Sequence, residues 1–174
     1  MKASQLRAPL EARQRPCCLG QVRVFVQRRE LAIDLVALLG AARRYFDATL
    51  DVQSRTEGDA RGGDQVLLRL DCEQHGYQGL LSIRSRKTSE FDWADARRAE
   101  ALGQAAGMAA LAARCPTIWD VEPVGQDSEL ARLNLCAILA SVALGPVLPD
   151  DGSTLYGVRG AMERVDRLLR GAQT

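Results

Sequence analysis

His75 is the single histidine among 174 residues, so any serine–histidine or cysteine–histidine mechanism would have to pass through it. Two acids and a thiol precede it, in Asp71-Cys72-Glu73. Alternation along a strand sends Cys72 to one face and both acids to the other, so the three do not converge on the imidazole. In Gln74-His75-Gly76-Tyr77 the histidine reads as an exposed turn residue. Cys72-x-x-His75 is half of a zinc spacing, and the other half would be the vicinal pair Cys17-Cys18, whose side chains project apart. No metal is expected.

Other searches for chemistry are negative. The chain has no GxxxxGK[ST] phosphate loop, no HExxH, no GxSxG and no CxxC. The glycines of Gly58 to Gly63 lie between strand candidates, without a following helix whose N-terminus could hold phosphate. Asp120 and Glu122, near the end of a short strand, are the acids an enzymatic reading would use, and that use needs a perturbed pKa. No catalytic residue and no cofactor is assigned. The basic cluster Arg84, Arg86 and Lys87 could touch phosphate or a partner's acids. The pairs Arg28-Arg29, Arg43-Arg44 and Arg97-Arg98 do not share a helical face and read as exposed flanks.

Composition narrows the class. A net charge of +1 gives no global field toward nucleic acid or anionic lipid. The cations are 21 Arg and 2 Lys; with the abundant alanine, this bias points to GC-rich coding and a bacterial source. Five cysteines at 17, 18, 72, 115 and 136 make no disulfide framework. Cys72, Cys115 and Cys136 sit in apolar patterns as small buried hydrophobes. Residues 1–20 have no apolar signal core, and the run Leu135 to Leu148 is interrupted and too short for a bilayer. A reducing, cytoplasmic location is expected.

Residues 1–20 show no periodicity and read as a disordered tail before one domain, 21–174, whose part 127–174 is helical. Val22, Val24 and Val26 alternate as a strand, and a helix is predicted from about Arg29 to Phe46. Three strands around Leu50, Val66–Cys72 and Leu81–Ile83 form an antiparallel meander. Its outward face collects Asp51, Arg55, Arg69, Asp71, Glu73, Arg84 and Arg86, a mixed-sign solvated surface. With Tyr77 as the one nearby aromatic, it does not look like a base-stacking platform. Ser89 and Asp92 form a capping box for a helix to about Arg114. Thr117–Pro123 reads as a strand at a sheet edge because of its proline. Asp127 or Ser128 caps a helix through Leu144 that Gly145-Pro146 stops, and a last helix runs from about Thr154 to Arg170. The order β-α-β-β-β-α-β-α-α implies an α+β, two-layer sandwich, with a mostly antiparallel sheet and helices packed on one face.

The helix carrying Leu130, Leu133, Leu135, Cys136, Ile138, Leu139, Val142 and Leu144 is apolar almost all round, with Asn134 and Ser141 as exceptions. It needs cover from the terminal helix or from another subunit. The candidate interface is therefore Leu133, Ile138 and Val142, with Arg84, Arg86 and Lys87. The functional expectation is a non-enzymatic protein–protein interaction module (adaptor, regulator or immunity-type binder), whose partner is another protein or a second copy of the chain. The alternatives are a small-molecule-binding domain or small enzyme with a pocket between sheet and helices, and then a nucleic-acid-binding accessory protein.

Overall fold

A computed structural model of the chain describes residues 21–58, 62–125 and 128–171. The expected tail at 1–20 and the cap candidate Asp127 lie outside these residues. The elements are β1 (Val22–Val26), α1 (Leu35–Tyr45), β2 (Thr49–Thr56), β3 (Gln65–Cys72), β4 (Tyr77–Lys87), α2 (Glu90–Gly103), α3 (Met108–Ala112), β5 (Thr117–Pro123), α4 (Glu129–Ala143), β6 (Val147–Leu148) and α5 (Val158–Gly171). The strands form one six-stranded antiparallel sheet in the order β2-β3-β4-β5-β1-β6. The fold is α+β, with helices packing on the sheet.

Strand alternation divides the sheet into two faces. Val22, Val24 and Val26 of β1, Val66, Leu68 and Leu70 of β3, and Leu81 and Ile83 of β4 share the main core with residues of α1, α4 and α5. On the opposite, outer face, Phe25, Ile118 and Leu148 pack with Ala96, Ala99, Ala109 and Ala112. Helices α1, α4 and α5 thus occupy one face as expected, while α2 and α3 add a partial third layer over β5, β1 and β6.

β5 is an interior strand between β4 and β1, not an edge. Pro123 is its last residue, where a missing N–H costs the ladder little. In β2 the register slips between Val52 and Ser54, a bulge at Gln53 that sends Arg55 to the helix-covered face, opposite Val66. Arg55 therefore leaves the outward set in which simple alternation puts it.

Helix ends differ from expectation for local reasons. α1 starts at Leu35 because Asp34 caps it, accepting from the Ala37 N–H at 3.0 Å. Before it, Ile33 N–H is bound by Asp64 and the Leu31 carbonyl by Ser85. The single helix predicted from Ser89 to Arg114 is two. Gln104 turns left-handed at φ 54° and Gly107 at φ 86°, and the Glu100 carboxylate caps the N–H groups of Gly107 and Ala109. Ser128 caps α4 by accepting from Ala131. The segment before α5 is extended, and Tyr156 bridges backbone to Val147 at 2.7 and 3.1 Å.

Candidate functional site

Where α2 meets the sheet, five charged side chains form one network. Arg86 on β4 binds Asp120 on β5 through Nε and Nη2 at 2.6 and 3.2 Å. It binds Asp92 at the start of α2 through Nη1 and Nη2 at 2.7 and 2.9 Å. Arg23 on β1 bridges Asp92 and Asp95 at 3.0 and 2.9 Å. Asp92 Oδ2 also accepts from the N–H and hydroxyl of Ser89, completing the capping box. Asp92 is 3% exposed and Asp120 5%. Burial opposes ionisation of Asp92, but the hydrogen bonds from Arg86 and Ser89 outweigh it and hold the carboxyl well below its ordinary value. The same carboxylates hold Arg86 above the usual arginine value.

The network pins the N-terminus of α2 to three strands. Asp92 alone accepts five hydrogen bonds across its two oxygens, so no lone pair is aimed at a substrate. Asp120, the acid an enzymatic reading would use, is bound twice by Arg86. Glu122 lies on the surface and accepts from Gln21 at 2.9 Å. Sequence spacing flagged Asp92 as a cap and Arg86 as an exposed cation. The pairing of Arg86 with Asp120 depends on strand order, which residue spacing does not show.

A third buried acid lies outside this network and carries no sequence signal. Asp64, in the link between β2 and β3, accepts from Ile33 N–H at 3.1 Å, Gly58 N–H at 3.1 Å and Arg55 at 2.9 Å. Burial would raise its pKa; the two backbone N–H groups and Arg55 bring it down instead. It ties the link to the segment before α1.

The other candidates separate. His75 is exposed, stacks parallel to Tyr77 at 6.3 Å, and has no hydrogen bond or ion pair with a described residue. Among the described residues no three His, Cys, Asp or Glu side chains group as metal ligands. Ile138 is fully buried in the main core, so it is no part of a surface. Val142 packs at the rim of that core, and Leu133 lines a cleft. α4 is covered by the sheet, α1 and α5 of its own chain, which accounts for its all-round apolar character without a second subunit. Arg86 is committed internally, leaving Arg84 and Lys87 as the exposed members of the basic cluster. No described helix is long and apolar enough to cross a membrane.

Two open surfaces remain. Over β2, β3 and β4 as far as Arg84 the outer face has no described helix on it; α2 reaches β4 only at Arg86. That outer face carries the half-exposed Leu67 and Leu80 beside exposed Arg69, Gln78 and Arg84. On the other side, a cleft of about 240 Å³ opens between α4, α5 and the loop at Pro149–Ser153. It shares Glu129 and Arg132 with a neighbouring recess at the start of α4.

No protein-family model, no curated protein and no solved structure matches this chain.

Proposed function

We propose that the protein is a non-enzymatic protein-binding module whose contact surface is the outer face of the β2–β3–β4 meander. One observation carries the reading. The outer face is helix-covered over β5, β1 and β6 but bare of described helices over β2, β3 and β4 as far as Arg84, where Leu67 and Leu80 lie beside Arg69 and Arg84. Apolar side chains beside Arg69 and Arg84, with no Lys or Glu between them, suit a protein interface, where Arg is enriched and Lys and Glu are depleted. The charged groups that chemistry would need are instead spent on folding, in the Arg86 and Asp64 networks. The nucleic-acid alternative is weakened because Arg86 contributes no free charge and acids interrupt the face.

The test is site-specific photocrosslinking in the cells that make the protein, with the crosslinker at Ser82 on the bare face and at Glu163 on exposed α5. A discrete crosslinked product from Ser82, absent from Glu163 and lost in Leu67→Glu, is the expected result. Equal crosslinking from both positions, or none from Ser82, overturns the reading. A product of twice the chain mass identifies a second copy as the partner.

A further inference from the structure

We propose that the cleft between α4 and α5 is a binding site for a small monocarboxylate with an apolar body. This site is separate from the bare sheet face and does not depend on it. Six charged residues line the cleft: Arg132, Arg164, Arg167, Glu129, Asp150 and Asp151. Their commitments are unequal. Asp150 accepts from Arg132 at 3.4 Å and from the Asp151 N–H at 3.1 Å. Asp151 accepts from the Ser153 N–H at 2.9 Å. Asp150 is thereby shared between Arg132 and the loop, while Asp151 is held by Ser153 with the Arg164 charge nearby.

Two guanidiniums make no ion pair with a described residue, Arg164 having only the Asp151 carboxylate nearby. Arg164 stacks on the ring of Tyr156 at 4.2 Å, and its one hydrogen bond goes to the Gly160 carbonyl at 3.4 Å. Tyr156 is 5% exposed and locked by its backbone bridge to Val147, so the stacked guanidinium is held in place before any ligand arrives. Arg167, three residues on and on the same side of α5, is exposed and makes no hydrogen bond or ion pair with a described residue. Neighbouring guanidiniums of this kind suit a carboxylate, which accepts two parallel N–H bonds from each fork. Val22, Leu133 and Leu168 supply apolar wall beside them.

Charge and size select within the oxyanions. Glu129 also lines the cleft and has no partner among the described residues, and the six charges sum to zero. One negative charge on the ligand is accommodated by the arginines, while a second would meet Glu129. The volume of about 240 Å³ falls below the ~300–1,000 Å³ common for drug-sized ligands, which favours a small molecule.

The experiment titrates the full chain with benzoate, phenyl phosphate and benzyl alcohol, followed by NMR of the arginine side chains and Tyr156. The expected result is saturable binding of benzoate at Arg164, Arg167 and Tyr156, weaker binding of phenyl phosphate, and none of the neutral alcohol. Arg167→Ala, at an exposed position without partners, should weaken benzoate about tenfold and leave the remaining spectrum unchanged. Glu129→Gln should strengthen phenyl phosphate relative to benzoate. Benzyl alcohol binding as well as benzoate, benzoate failing to saturate, or Arg167→Ala leaving benzoate affinity intact overturns the site. Phenyl phosphate binding more tightly than benzoate overturns the monocarboxylate assignment.

Discussion

Asn134 on α4 donates its side-chain amide to the phenolic oxygen of Tyr77 on β4 at 2.7 Å, joining residues 57 positions apart inside the main core. Asn134 is 3% exposed, and its carbonyl oxygen has no partner among the described residues. The bond sets the position of an otherwise greasy helix along the sheet, because sliding α4 would leave two buried polar groups unpaired. Burial, with Cys72 beside it, raises the Tyr77 phenol above its ordinary value, so the hydroxyl stays neutral.

Removing both partners should cost less than the two single removals added together. Tyr77→Phe and Asn134→Leu are each expected to destabilise by about 1–3 kcal/mol, and the double variant by less than the sum. Urea unfolding of the four proteins measures the coupling. Simple additivity would mean that the bond does not contribute.

Acid should loosen α2 from the sheet. Asp92 and Asp64 titrate below their ordinary values in the folded state, whereas the unfolded carboxyls titrate near ~3.9. Their stabilisation is complete above about pH 5 and is lost as pH falls through ~4 toward the folded-state values. Asp92→Asn should cost about 3–5 kcal/mol at neutral pH, since Arg86 and Arg23 lose a buried partner, and should flatten the decline below pH 5. Urea midpoints between pH 7 and 2 would show it; parallel curves for the two proteins would remove Asp92 as the source.

The end of α4 separates two roles that adjacent residues share. Leu144, 65% exposed, takes the left-handed cap position at φ 56°. Gly145 is needed for another reason: a Cβ there would run into the backbone carbonyl of Phe25 on β1. Leu144→Gly is therefore expected to stabilise by about 1 kcal/mol. Gly145→Ala is expected to destabilise, by about 1–3 kcal/mol. Thermal melts of both variants decide the matter, and equal shifts of one sign would contradict it.

Cys115 and Cys136 are buried, and burial pushes their thiols up to about 11 and about 12 respectively. Both should resist iodoacetamide at pH 8 in the native protein and react once denaturant unfolds it. Peptide mapping by mass spectrometry reads each site. Native labelling of Cys136 would show that α4 opens locally at a free energy well below global unfolding.

The sequence by itself determined the α+β class, the antiparallel meander and the α2 capping box. Each depends on residues a few positions apart. Val66, Leu68, Leu70 and Cys72 repeat at the period of a half-buried strand, and Ser89 and Asp92 sit at the spacing that closes a helix N-terminus. It also marked α4 as a helix requiring cover on all sides, without saying what supplies it. Tertiary structure decided that α1 and α5 of the same chain cover α4, which withdrew Ile138 from the candidate interface. The partners of Arg86 are another such case. Asp120, 34 residues away, meets it only because β5 lies beside β4, while Asp92, 6 residues on, reaches it from the first turn of α2. The bulge at Gln53, which turns Arg55 toward Asp64, and the break between α2 and α3, held by left-handed Gln104 and Gly107 and the Glu100 cap, leave no mark in the apolar periodicity. Local periodicity reports which side of an element is buried; strand order and register decide which charges face one another, and so whether an acid is a free reagent or a structural tie.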